Sequence, residues 1–199
     1  MNHTQKLILA TNNRNKVAEL NHLLGDAFEI LTLKDIGFDE EIQETGATLH
    51  ENAQIKSSLI FDRYGLPTLS DDSGLFVAAL DGAPGVFSAR YAGPKASDQE
   101  NIDLLLQSLK GKEHRAASFK TVLSFQINRT QHFFEGAVHG TILESPRGTF
   151  GFGYDPVFMP LGGERSFAEM DKEAKNQWSH RSIALSNFIQ WFKNQHFTH

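Results

Sequence analysis

The sequence predicts an α/β fold with a mixed sheet. Short apolar runs alternate with helix-periodic stretches over the first half of the chain, and a period-two strand, a turn and a second strand follow in the second half. Two capping boxes, Thr48 with Glu51 and Ser97 with Glu100, mark where two of the helices begin.

Residues 6–10 (K-L-I-L-A) read as a short buried strand, ended by the polar turn T-N-N-R-N-K at 11–16. A helix follows, with Val17, Leu20, Leu23 and Leu24 on one face and Gly25 as its stop. Residues 28–33 form the second strand. Thr48 opens a helix carrying Ala53, Lys56 and Ile60 along one side. Residues 66–70 form a strand that runs into D-D-S-G at 71–74, so the two acids are expected at its C-terminal end. G-A-P-G at 82–85 is a turn. After Ser97, Ile102, Leu105, Leu106 and Leu109 make the buried stripe of a helix stopped by Gly111. Phe119, Thr121, Leu123, Phe125 and Ile127 alternate as one strand face, residues 128–131 turn, and 133–138 return. The last helix starts near Ser179 and buries Ala184, Phe188, Ile189 and Phe192.

No repeat or linker divides the 199 residues, which predicts one domain over 1–199, built as two lobes. Sixteen Phe supply much of its core. A net charge of −5 argues against a general nucleic-acid surface, which needs a basic excess. The absence of cysteine excludes disulfides, thiolate zinc sites and cysteine nucleophiles. No run approaches the roughly 20 apolar residues of a membrane span. A soluble cytoplasmic protein without a membrane partner is the expectation.

Five segments carry residues suited to chemistry. Thr11, Asn12, Asn13, Arg14, Asn15 and Lys16 link a strand to a helix N-terminus, where free N–H groups and the helix dipole favour a phosphate. Lys16 is on the wrong end of that helix for a cation, and an anion there would repair the mismatch. A solvated polar loop is the competing account. Glu44 precedes the Thr48 capping box and suits a metal, while Lys56 suits a phosphate; both also fit an exposed helix start. Asp71 and Asp72 repel, which a hard cation such as Mg²⁺ relieves. Adjacent strand residues cannot point the same way, so only one of the two would ligate. In G-F-G-Y-D-P at 151–156, the glycines let backbone approach a ligand and Phe152 offers a face for stacking a base, unless it is a core Phe in a glycine turn. Lys175, His180 and Arg181 offer donors near the start of the final helix.

Together these segments resemble the inosine triphosphate pyrophosphatase family, also called XTP/dITP diphosphatases. The resemblance runs in order through T-N-N-R-N-K at 11–16, E-T-G-A-T-L-H-E-N-A-Q-I-K at 44–56, S-D-D-S-G-L at 70–75 and G-A-P-G-V-F-S-A-R-Y-A-G at 82–93. It continues in F-G-Y-D-P-V-F at 152–158, S-F-A-E-M at 166–170 and K-N-Q-W-S-H-R at 175–181. Ser70 replaces a common Ala and Asn12 a common Gly, neither at a position whose side chain the family's chemistry needs.

The resemblance implies an elongated, mixed-sheet α/β fold of two lobes with a central cleft, usually as a homodimer. It implies cleavage of purine nucleoside triphosphates such as ITP, dITP and XTP to the monophosphate and pyrophosphate. Residues 11–16 and Lys56 would hold the triphosphate, with Ser73 assisting. Glu44 and Asp72 would bind Mg²⁺, and Asp72 would accept the proton of the attacking water or only orient that water. Phe152, Gly153, Tyr154, Asp155, Lys175, His180 and Arg181 would hold the base. Two alternatives stay open: a related septum-inhibitor (Maf-like) pyrophosphatase acting on other nucleotides, and a nucleotide-binding protein without catalysis.

Overall fold

A computed structural model describes residues 5–24 and 28–196. Gly25, expected to stop the first helix, and the side chains of Asn15 and Leu23 lie outside the described residues. Seven strands are described: β1 (Gln5–Leu9), β2 (Phe28–Thr32), β3 (Thr68–Val77), β4 (Pro84–Gly85), β5 (Ala116–Ile127), β6 (Thr130–Ile142) and β7 (Phe158–Pro160). They form one sheet in the order β2-β1-β3-β5-β6-β7, with β4 paired to β3. β1 runs parallel to β2 and β3, whereas β4 and β7 are antiparallel to their partners, so the sheet is mixed as expected. The helices are α1 (Arg14–Leu24), α2 (Leu49–Tyr64), α3 (Asp98–Ser108), α4 (Lys172–Trp178) and α5 (His180–His196).

The chain divides into two compact units. One comprises Met1–Asp72, Val122–Glu135 and Ala184–His199, the other Ser73–Thr121 and Gly136–Ile183. In the first unit, the period-two pleat of β1 sorts its side chains onto two faces. Leu7 and Leu9 pack with Leu20 and Leu24 of α1, Phe125 of β5 and Phe188 of α5. Ile8 and Ala10 pack with Leu33, Phe38 and Ile60 of α2. One face therefore carries α1 and α5 and the other carries α2. In the second unit, Leu75 and Val77 pack with Ile102 and Leu105 of α3, Phe119 and Phe158.

A polar seam joins α2 to the sheet. Ser70 donates to the Ala53 carbonyl at 2.5 Å, and the Ser57 and Ser124 hydroxyls meet at 2.8 Å. Gln131 donates to both of the latter hydroxyls. Every group in this seam is small or hydrogen-bonded, so the helix comes close to the strands without stranding buried polar atoms.

Four expectations need correction. β3 does not end at residue 70: it continues to Val77, so Asp71 and Asp72 lie inside a strand. The expected 82–85 turn covers only its start: Pro84 and Gly85 form β4, pairing Leu75 with Gly85 and Phe76 with Pro84. Gly74 permits this, because a Cβ there would collide with the Gly85 carbonyl. The β5–β6 turn is only Asn128 and Arg129, both at positive φ (48° and 63°), the signature of a two-residue hairpin with long flanking strands. Leu106, Ile189 and Phe192 are half-buried rather than buried. Helix α4 and strand β7 were not expected; each is too short to show a period.

Both predicted capping boxes form. Thr48 Oγ1 accepts from Glu51 N at 3.1 Å, and Glu51 Oε2 accepts from Thr48 N at 3.2 Å. Thr48→Ala should therefore lower stability by about 1 kcal/mol, read from urea unfolding midpoints. An unchanged midpoint would show that α2 is held by its packing alone.

Candidate active site

The first unit brings together Lys16, Glu44, Lys56, Asp71 and Asp72. Consecutive strand residues point to opposite faces, and each acid finds a lysine on its own face. Asp71, fully buried, pairs with Lys16 of α1 at 2.9 Å. Asp72 Oδ1 lies 3.7 Å from Lys56 Nζ of α2, and the same ammonium is 2.7 Å from Glu44 Oε1. The Lys56 side chain is 8% exposed. In the 11–16 segment, Thr11 Oγ1 accepts from Asn13 N and Asn13 Oδ1 accepts from Lys16 N at 3.2 Å, so Asn13 caps α1. Asn12, Asn13 and Arg14 are exposed, and Lys16 occupies the first turn.

Charge and burial oppose each other here. Burial raises the Asp72 carboxyl above its ordinary pKa; Lys56 and Lys16 pull it down, while Glu44 and Asp71 push it further up. Lys56 is pulled down by burial, but Asp72, Glu44 and Asp71 outweigh that and hold its ammonium above the ordinary lysine value. The donor set suits a hard cation, since all of its ligating atoms are carboxylate oxygens. Among the described residues, no three His, Asp or Glu side chains are placed to hold a metal by themselves. Mg²⁺ needs no such cage: it usually takes one or two carboxylates together with phosphate oxygens and water.

The second unit assembles the remaining candidates. Ser73 Oγ meets Thr121 Oγ1 at 2.7 Å and accepts from Arg181 Nη2 at 3.3 Å. Arg181 is 2% exposed, and its guanidinium carbon lies 5.8 Å from the centre of the Phe152 ring. Lys175 Nζ is 4.9 Å from the same ring and 2.7 Å from Asp155 Oδ2. That oxygen also accepts from Phe152 N at 2.9 Å, so Asp155 fastens the loop to Lys175. Gly153 N donates to Asp98 at 2.7 Å. The His180 ring stacks on Phe119, with centroids 4.8 Å apart and 8° between planes. Tyr154 is buried with its hydroxyl donating to the Ser88 carbonyl, so its side chain anchors the loop.

Sequence reasoning did not select Thr121, Asp98 or Asn52 for roles here, nor Asp71 as the partner of Lys16. Asp98 had a signal in the capping-box helix start. Thr121 had none, because a hydroxyl on a strand looks the same whatever it faces.

The raised Asp72 pKa fixes the sign of a stability effect. The folded chain keeps this proton to higher pH than the unfolded chain does, so ionising Asp72 costs stability as pH rises from its ordinary 3.8 through the raised value. Asp72→Asn keeps the size and removes the charge. In metal-free buffer its unfolding temperature should exceed that of the wild type at neutral pH, and the gap should close on acidification towards the ordinary aspartate range. A gap that widens on acidification would reverse the assignment.

The Ham1 family model matches residues 7–191. The chain is 50% identical over 183 residues to a dITP/XTP pyrophosphatase of Porphyromonas gingivalis, covering 92% of this chain and 94% of that protein. It is 47% identical over 186 residues to one of Christiangramia forsetii, covering 94% and 98%. A solved HAM1 protein from Coxiella burnetii superposes with a TM-score of 0.89 at 39% identity, over 96% of this chain and 100% of that one. With the family match spanning nearly all of its length, the chain belongs to the Ham1 family.

Proposed function

We propose that this protein hydrolyses non-standard purine nucleoside triphosphates (ITP, dITP and XTP) to the monophosphate and pyrophosphate, with Mg²⁺, keeping them out of DNA and RNA. The carrying observation is the Lys56 ammonium held against Glu44 and Asp72. A lysine suited to a phosphate beside two carboxylates suited to a metal supports this reading, in a chain whose relatives are named dITP/XTP pyrophosphatases.

Glu44 and Asp72 are the residues that would hold Mg²⁺, which neutralises phosphate charge and polarises the phosphoryl group. The residues 11–16, Lys16 above all, and Lys56 hold the triphosphate, and the two ammonium groups stabilise the charge that develops on the departing pyrophosphate. Their carboxylate partners orient both amines before substrate arrives. Asp72 accepts the proton of the attacking water. In the metal-free protein burial raises its pKa, and a bound Mg²⁺ would lower it again.

The base is assigned to the second group. Phe152 offers its ring face, and His180 and Arg181 direct donors at the 6-keto oxygen. Adenine presents a 6-amino donor to those donors, and a site built for the keto group rejects it by leaving buried groups unmatched. Lys175 and the 152–155 loop, tied together by Asp155, give the base a fixed seat. Among the described residues no helix is long and apolar enough to cross a membrane, and the proposal places the enzyme in the cytoplasm as a homodimer.

Pyrophosphate release should be fastest with ITP, dITP and XTP and should stop with EDTA; a preference for dUTP or dTTP would instead point to a Maf-like activity. Asp72→Asn should lower turnover by about 10²–10⁴-fold. Near-normal turnover in that variant would remove Asp72 from the chemistry. Arg181→Ala should erode the preference for ITP over ATP, and unchanged selectivity would mean that the base is read elsewhere. Sedimentation velocity tests the dimer, which a single-chain mass would exclude.

A further inference from the structure

We propose that Asn52 is a positioning residue for this reaction: by holding Gly46 it sets the Glu44 carboxylate against Lys56. The inference rests on the functional reading above and adds a residue to it. Asn52 is fully buried on α2, one turn before Lys56. Its Oδ1 accepts from Gly46 N at 2.8 Å. A backbone N–H can only donate, so this bond fixes which way the amide points. Just beyond, Ala47 N and Thr48 N both donate to Glu51 Oε2, at 2.6 and 3.2 Å. Three successive N–H groups are thus held by two side chains of one helical turn. At the other end of the segment, Glu44 Oε1 meets Lys56 Nζ.

The packing leaves no slack. A Cβ on Gly46 would lie 2.5 Å from Glu51 Cβ and 2.8 Å from Asn52 Oδ1, closer than real Cβ contacts come. Glu44 is therefore only two residues from a backbone point packed directly against α2. The other half of the Asn52 amide, Nδ2, is buried with no hydrogen-bonding partner among the described residues. Leaving a buried donor unmatched costs stability, so Asn at this place is a poor choice for the fold alone. The same amide makes sense where its acceptor oxygen fixes a working carboxylate, since residues that orient a ligating group govern affinity without touching the ligand.

The test is a double-substitution cycle on the whole protein, read by calorimetric binding of α,β-methylene inosine triphosphate with Mg²⁺. Asn52→Ala should weaken binding about 10–100-fold in the wild-type background. In a Glu44→Gln background it should cause no further loss, because its effect passes through Glu44. Gly46→Ala, which displaces the segment while leaving Asn52 in place, should behave the same way. Equal losses in both backgrounds, or no loss in either, would overturn the proposal. So would a collapse of the Asn52→Ala unfolding temperature, which would assign the residue to the fold. Wild-type pyrophosphate release from ITP is measured in parallel: analogue binding without hydrolysis would remove the functional reading while the cycle still decides on Asn52. A wild-type protein that fails to bind the analogue would remove both.

Discussion

Two consecutive carboxylates inside a buried strand impose the central constraint on the first unit. The pleat sends Asp71 and Asp72 to opposite faces, so each takes its own ion-pair partner, and a buried charge without a partner is prohibitively costly. The chain answers with one lysine per face: Lys16 from the first turn of α1 and Lys56 from α2. Lys16 occupies the helix end where the dipole disfavours a cation, and Asp71 compensates for that placement. The positions of both helices over the strand follow from this pairing as much as from the apolar faces beneath them.

Lys56 has its ammonium held above the ordinary lysine value by its carboxylate neighbours, and burial raises the Asp72 carboxyl. A base needs affinity for protons near the working pH, and a carboxylate gains it by being buried among like charges. The second unit solves a different problem. There, buried cations are held by an aspartate, hydroxyls and aromatic faces, with Lys175 and Arg181 both near the Phe152 ring.

Much of this was legible in the sequence, for reasons that differ by residue. The strands and helices with a clear period, and both capping boxes, depend on local pattern and were read correctly. D-D-S-G looked like the end of a strand because its composition is that of a turn; what prolongs β3 is the backbone of Gly85, a partner eleven residues beyond Gly74 that no local window contains. Lys175, His180 and Arg181 were recognisable as donors near the start of the final helix, but their burial was not, since it depends on Phe119, Phe152 and Phe167 arriving from elsewhere. Asn52 stood out beside Lys56 in the 44–56 segment, but no role could be read for it, because a buried amide and an exposed one look identical in a helix.

The serine seam beneath α2 has a consequence for how this sequence can drift. Where a helix meets a sheet through bulky aliphatic side chains, neighbours can repack around an added methyl. Ser57, Ser70 and Ser124 have no such latitude, since each hydroxyl is already engaged and the gap is only as wide as they are. Lengthening any of them would lift the helix and carry Lys56 with it, so an alteration with no ligand contact would still be felt at the amine. The interval between helix and strand acts as a gauge, and three of the smallest residues in the chain set it.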